Sequence, residues 1–316
     1  MENNKIVENK LNIWKKPIVV SSVAILCCLL WGSAFPAIKI GYEYFEIASD
    51  AYATQILFAG CRFTMAGIIT IVIGSVLAKN ILKPRKSSWK KIMVLSCCQT
   101  SIHYTCFYIG LAHTTGVKSS ILNGMNVFIA IMISALLFRQ EKLTMTKVVG
   151  SILGFLGIIL INMNGQGLDF TFHLNGEGMI VLSSICYGMS SALIRIYGKN
   201  ENSVMLSGYQ FMFGGIVMIL IGWLLGGRLY AWNGYCVAIL VYLALVSAIA
   251  YTLWALLLRH NDVSKVAIYG CFNPVFGALL SAMILRETGQ GLGMKEVLAL
   301  CMVSVGIFIV QKGKGE

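Results

Sequence analysis

Long apolar stretches alternate with short polar links along this chain, and the length of each stretch points to the fold. Runs long enough to cross a bilayer as a helix, about 20 residues, lie at about 17–40, 55–77, 91–111, 117–138 and 144–162. A polar interruption, NMNGQGLDFTFHLNGEG at 162–178, then divides the chain. Five further runs follow at about 178–197, 204–225, 235–258, 264–285 and 293–311. None shows the two-residue alternation of an outer-membrane barrel strand, so the pattern predicts helices. The expectation is an all-α integral membrane protein with ten transmembrane helices. The segment NIWKKPIVVSSVAILCCLLWG begins with basic residues, like a signal peptide. Its apolar part is too long for one and no small-x-small cleavage site follows, so it reads as a retained first span.

Charge orients the spans. With the N-terminus in the cytoplasm, the cytoplasmic segments hold the basic tail, the cluster from Lys79 to Lys91, Arg139, Lys142, Lys147, Arg195, Lys199, Arg259, Lys265, Lys312 and Lys314. The outer side keeps Lys39, Lys118, Arg228, Arg286 and Lys295. This asymmetry is what the positive-inside rule requires of ten spans with both termini cytoplasmic. It also accounts for a net charge of +12 without nucleic acid, for which no basic-aromatic face is visible. The expected organisation is a cytoplasmic tail (1–16), a first five-helix unit (17–162), an extracytoplasmic linker (163–177), a second five-helix unit (178–311) and a cytoplasmic tail (312–316).

Composition agrees: 57% of the 316 residues are hydrophobic and 12% charged, with a mean hydropathy of +0.77. The ten cysteines fall mainly inside apolar runs and form no CxxC pair, so they read as small apolar residues rather than metal ligands or disulfides. Phosphate-binding loops, nucleophile elbows, HExxH and paired catalytic carboxylates are missing from the sequence, which argues against an ATP-driven pump or a hydrolase. No cofactor and no metal is expected; the expected partners are the lipid bilayer and a small-molecule substrate.

The two halves resemble each other. WGSAFPAIKI (31–40) aligns with YGMSSALIRI (187–196), so Trp31 meets Tyr187, Gly32 meets Gly188 and Lys39 meets Arg195. GCRFTMAGI (60–68) aligns with GYQFMFGGI (208–216), placing Arg62 opposite Gln210. Tyr104-Thr105 aligns with Tyr251-Thr252, and Glu141 falls on Glu287. With an odd number of spans in each half, the second unit enters the membrane upside down, the arrangement of transporters that expose a central site alternately to the two sides.

These residues also carry a family resemblance. LLWGSAFPAIKIG near the start, Arg62 in the second span, a glutamate after spans four and nine, and FNPVFGALLSAMILRE (272–287) resemble the drug/metabolite transporter superfamily, EamA type. The resemblance covers roughly residues 20–311 as two tandem units and implies a ten-helix exporter or exchanger of small metabolites, often amino acids or related compounds. One departure is visible: Pro274 has Phe128 as its first-half counterpart.

Candidate transport residues follow from depth. Trp31, His103, Tyr104, Asn126, Tyr187, Tyr251 and Asn273 all fall near mid-span, where aromatic and polar side chains are unusual. The aromatic quartet Trp31, Tyr104, Tyr187 and Tyr251 reads as the lining of a cavity, while Asn126 and Asn273 serve equally well as helix–helix glue. Arg62, with Gln210 opposite, either attracts a substrate carboxylate or bonds helix carbonyls and outer acids such as Glu43, Glu46 or Glu287. Gly32, Pro36, Gly188 and Pro274 are candidates for kinks or close approach, with a broken helix expected around 29–40. Glu141 and Glu287 are candidates for gates or for helix-end caps. His103 is the mid-span group able to change charge near neutral pH, so proton coupling and simple exchange both stay open. A flippase for a lipid or lipid-linked sugar is the alternative function.

Overall fold

The computed structural model describes residues 13–139, 142–162, 173–198, 200–261, 266, 268–285 and 293–312. These are helical throughout their regular parts. We label the helices α1 (Pro17–Tyr44), α2 (Tyr52–Ala78), α3 (Ser88–Leu95, Ser96–Ile102 and His103–Ala112 in succession), α4 (Gly116–Leu137) and α5 (Met145–Asn162). After residues 163–172 come α6 (Leu174–Gly178 leading into Met179–Tyr197), α7 (Ser203–Leu224), α8 (Gly234–His260), α9 (Ile268–Cys271 leading into Phe272–Leu285) and α10 (Met294–Lys312). Six of these segments, in α1, α2, α4, α6, α7 and α8, are long and apolar enough to cross a membrane. The protein is therefore a multi-pass membrane protein. Shorter apolar helices lie in α5 and α9, and α3 carries Lys90, Lys91, Gln99 and His103 along its length.

Local chemistry sets several helix starts. Asn202 caps α7 by accepting from the amides of Val204 and Met205, Asn233 caps α8 through Cys236, and Thr115 caps α4 through Lys118. Each satisfies amides that a helix N-terminus leaves without a partner.

Two sequence expectations need correction. The first helix is not broken near 29–40: α1 runs on through Pro36 to Tyr44. Pro36 lacks an amide, so it withdraws the bond that the Gly32 carbonyl would accept, yet neighbouring helices hold the helix in one piece. Pro274 is not a mid-helix kink either. It is the third residue of the α-helical part of α9, after a 3₁₀ turn at Ile268–Cys271, where a missing amide costs nothing. Departures from α-helical geometry fall elsewhere: a π-helical stretch at Ser96–Ile102 inside α3, another at Leu174–Gly178 opening α6, and irregular turns in the fourth helix of each half. In α4, Gly124 donates to the Ile121 carbonyl at 3.0 Å, a local tightening; the 3₁₀ turn of α9 occupies the matching stretch.

Packing follows an exchange rule. α2 packs along α7 and α5 along α10; α1 lies on α8 and α9, and α6 on α3 and α4. α8 also packs on α2, and α7 on α3. Swapping α1–α5 for α6–α10 returns the same set of contacts. The three self-equivalent pairs, α2–α7, α5–α10 and α4–α9, run antiparallel. In α2 and α7, glycines recur every seventh residue (Gly60, Gly67, Gly74 and Gly208, Gly215, Gly222), and Gly60 faces Gly215 while Gly67 faces Gly208. A Cβ added at Gly60 would lie 2.6 Å from the Ile219 amide nitrogen and 2.8 Å from the Gly215 carbonyl. Small residues thus let the backbones touch, the usual basis of helix association in lipid. Along α5 and α10, Gly150 meets Gly306 and Val310, and Gly157 meets Ala299.

Candidate functional site

Where α1, α2, α3, α7 and α8 converge, their side chains build an aromatic stack across the exchange axis. Phe63 and Phe211, which the half-to-half alignment makes equivalent, face each other at 5.5 Å between ring centroids. The Tyr104 and Tyr251 hydroxyls, equivalent in the same sense, lie 3.0 Å apart. Phe63 stacks on Tyr104 at 3.9 Å and Phe211 meets Tyr251 edge-on at 4.8 Å. Trp31 extends the stack, 5.4 Å from Tyr251 and 5.2 Å from Trp254. On the other side His103 lies 4.5 Å from Tyr104 and 5.8 Å from Tyr187. The structure thus brings Trp31, His103, Tyr104, Tyr187 and Tyr251 into one continuous group. The four rings of the expected quartet are only half-buried, whereas Phe63 and Phe211 behind them are sealed.

Several of the expected polar residues, on α1, α4 and α9, are incompletely matched. The Trp31 Nε1–H is buried with no hydrogen-bond partner among the described residues, and so are the side-chain oxygens of Asn126 and Asn273. Asn126 donates through Nδ2 to Asn123 at 2.7 Å. Leaving a buried donor or acceptor unpaired costs about 1–3 kcal/mol. His103 is held differently: its Nδ1 lies 2.8 Å from the Ser183 carbonyl and 2.9 Å from the Ser183 hydroxyl.

Arg62 sits at the edge of the group, 4% exposed. Nε donates to the Leu243 carbonyl (3.2 Å), Nη1 to the Tyr108 hydroxyl (2.6 Å) and Nη2 to Ser247 Oγ (3.0 Å). Its guanidinium also lies 4.9 Å over the Phe63 ring. Neither Glu43 nor Glu46 pairs with it. Gln210, its counterpart, reaches from α7 to α3 and donates to Gln99 at 2.6 Å, leaving its own oxygen unmatched.

An apolar bundle whose halves exchange contacts about a central, half-open aromatic group has the organisation of a membrane carrier. The profile of the EamA-like transporter family matches the chain twice, over residues 20–163 and 174–311. The chain belongs to the EamA-like transporter family.

Similar proteins are named as transporters. The chain is 25% identical over 311 residues to an uncharacterized transporter of Archaeoglobus fulgidus, covering 94% of this chain and 98% of that protein. It is 24% identical over 265 residues to the uncharacterized transporter YvbV of Bacillus subtilis, covering 82% and 81%. A crystal structure that shares 16% of its sequence superposes with a TM-score of 0.65 over 93% of this chain and 96% of the other, which establishes a common fold.

For this EamA-like transporter, the glycine candidates are close-approach points. A Cβ on Gly32 would stand 2.7 Å from the Phe276 Cβ and 2.8 Å from the Gly277 amide nitrogen, on α9. Gly188 does the same on α4, against Ile133 and Ala130. Ala130 is the aligned counterpart of Phe276, so the two contacts are one contact seen twice. The Pro274 carbonyl accepts from Ser120 Oγ at 2.9 Å, tying α9 to α4. Glu141 and Glu287 lie outside the described residues.

Sequence reasoning missed Tyr108, Ser247, Gln99 and Trp254. Tyr108 was within reach, because it lies one turn beyond Tyr104 on the same helix face. Gln99 was also visible, as an amide inside an apolar run. Nothing local announces Ser247 or the Leu243 carbonyl, each more than 180 residues from Arg62 in the chain.

Proposed function

We propose that this transporter moves amino acids or closely related small metabolites, by export or exchange, through a central site that opens alternately to the two sides of a bacterial cytoplasmic membrane. The reading takes the chain as ten spans in two inverted five-helix repeats, both termini cytoplasmic, with the repeats meeting at the axis that relates Phe63 to Phe211 and Tyr104 to Tyr251. The observation that carries it is the antiparallel packing of the self-equivalent helices α2 and α7, with Gly60 on Gly215 and Gly67 on Gly208. Equivalent helices that run in opposite directions are what inverted repeats require, and rocking one repeat against the other then exchanges access to the site between them.

Substrate class follows from the site. Trp31, Tyr104, Tyr187 and Tyr251 offer ring faces to apolar groups and to an ammonium. The unpaired oxygens of Asn126 and Asn273 suit an ammonium as well. The Trp31 indole N–H and, once Tyr108 moves aside, Arg62 suit a carboxylate. His103, locked by Ser183, modulates transport rather than driving it, and the cycle is facilitated exchange. Counterflow of radiolabelled amino acids in proteoliposomes, with and without a pH gradient, tests this. Exchange without a gradient supports it. Silence across the panel from folded protein, with movement of a labelled lipid in its place, would replace it with lipid flipping.

A further inference from the structure

The exchange of halves that relates Phe63 to Phe211 also relates the Arg62 cage to a second polar place in the bundle. Arg62 aligns with Gln210, and Tyr104 with Tyr251. Counting back from the tyrosines sets Thr100 opposite Ser247 and Ser96 opposite Leu243. On one side α2 presents a guanidinium to a carbonyl and a hydroxyl of α8. On the other, α7 presents a neutral amide to the matching part of α3. The contacts keep the correspondence. Gln210 Nε2 donates to Gln99 Oε1 at 2.6 Å. A Cβ on Gly214, one turn further along α7, would press on the Thr100 side chain and stand 3.0 Å from the Ser96 carbonyl oxygen.

The two places differ in charge. Ser96, Gln99, Thr100 and Gln210 are each at most 3% exposed. Gln210 Oε1, Thr100 Oγ1 and Ser96 Oγ have no hydrogen-bond partner among the described residues, and burying such atoms unpaired is costly. Gln99 Oε1 accepts from Gln210 and keeps a second lone pair. Four side-chain oxygens thus lie along the α3–α7 contact, where the other half holds a buried cation. The backbone differs as well. α3 is π-helical from Ser96 to Ile102, whereas α8 runs as unbroken α-helix through the matching stretch. A π turn is wider than an α turn and recurs at functional sites, and irregular helix beside an ion site is a recurring feature of carriers.

Donor chemistry narrows the occupant. Oxygens are the ligands of hard cations. Each donor here is neutral, so nothing in the set offsets a double charge in the membrane interior. A single positive charge is also what Arg62 supplies in the other half, and the close approach of α7 to α3 at Gly214 suits a small ion. We propose that Ser96, Gln99, Thr100 and Gln210 form a site for one dehydrated sodium ion. The ion ties α7 to α3, which carries Tyr104, as the Arg62 guanidinium ties α2 to α8, which carries Tyr251. The inference rests on the exchange of halves and not on the choice of transported substrate.

The test reads the ion without transport. Purified full-length protein is unfolded thermally in detergent micelles in sodium, potassium or choline chloride at equal ionic strength. The expected result is a midpoint that rises by several degrees with sodium and saturates, as a ligand of the native state requires, with no rise in choline. Thr100→Val keeps the shape and removes one oxygen, so it should weaken the sodium response severalfold; Ser96→Ala should do the same if Thr100→Val does not fold. Gln210→Arg should fold and lose the response, because it supplies a fixed cation. Equilibrium binding of radioactive sodium to the same proteins gives the reading without unfolding. Equal midpoints in all three salts overturn the site, leaving a polar contact alone. Equal rises with sodium and potassium overturn the choice of sodium. A wild-type sodium response in the Thr100 and Ser96 variants overturns the assignment to these residues.

Discussion

Removing the Tyr108 hydroxyl isolates one bond of the cage around Arg62. In Tyr108→Phe the ring stays in place, and so does the Tyr108 carbonyl that accepts from Tyr42; only the 2.6 Å acceptor for Arg62 Nη1 is lost. Tyr108 is fully buried and Arg62 nearly so, so water is a poor substitute. Neutral hydrogen bonds between membrane helices couple by about 0.6 kcal/mol on average, whereas bonds to a charged group contribute about 1.5–3 kcal/mol. The short distance and the burial place this bond with the second kind, so a coupling of about 2 kcal/mol is expected. A double-mutant cycle of Tyr108→Phe and Arg62→Met, read from denaturant-induced unfolding in mixed micelles, separates this pair from the other Arg62 contacts. A coupling below about 0.5 kcal/mol, within the usual scatter of additive sites, would refute the claim that Tyr108 and the Arg62 guanidinium hold each other.

Three further outcomes are expected. Gly67→Ala should cost about 1–3 kcal/mol, since its Cβ would stand 2.6 Å from the Gly208 carbonyl. Gly234→Ala, with nothing within 4 Å, should stay within about 0.5 kcal/mol of wild type; equal effects in unfolding titrations would discount the glycine seam. Glu201 accepts from Lys91 (2.7 Å) and Ser88 (2.8 Å), and chiefly the Lys91 bond holds its carboxyl below the ordinary value of 4.5. A depressed folded-state pKa means that stabilisation is complete above 4.5 and is lost as pH falls through the lower folded value. The difference in unfolding midpoint between wild type and Glu201→Gln should therefore be present at neutral pH and vanish at the acid end; a constant difference contradicts it. His103→Gln should keep gradient-independent exchange, and complete loss of exchange in folded protein would give His103 an obligatory role.

Much of the architecture was legible because it is written locally. Apolar run length gives the helices, and repeated short motifs align the halves closely enough to pair Phe63 with Phe211 and Tyr104 with Tyr251. The grouping of Trp31, His103, Tyr104, Tyr187 and Tyr251 follows from depth and symmetry, both countable along the chain. The fate of Pro36 was not legible, because whether a proline breaks a helix depends on what packs around it, here Gly277 and Phe276 against Gly32. Pro274 was misread for a related reason: its effect depends on where the helix starts, and a 3₁₀ turn moved that start to Phe272. That Arg62 bonds a helix carbonyl was one of the two expected readings; its particular partners, Leu243 and Ser247 on α8 and Tyr108 on α3, were not legible, since only the folded bundle brings those helices to α2. The heptad of glycines in α2 and α7 stood in the sequence throughout, and only its antiparallel pairing gave it meaning.

The central claim is that the half-buried aromatic group around Trp31 is where the transported molecule binds. The most direct measurement is the concentration dependence of amino-acid counterflow for wild type and Trp31→Ala in proteoliposomes, with both proteins shown to be folded. The account predicts that the half-saturating concentration rises at least about tenfold, the equivalent of about 1.4 kcal/mol, since the substrate loses a ring face and the indole N–H together. An unchanged half-saturating concentration would contradict it and move the binding site elsewhere in the bundle.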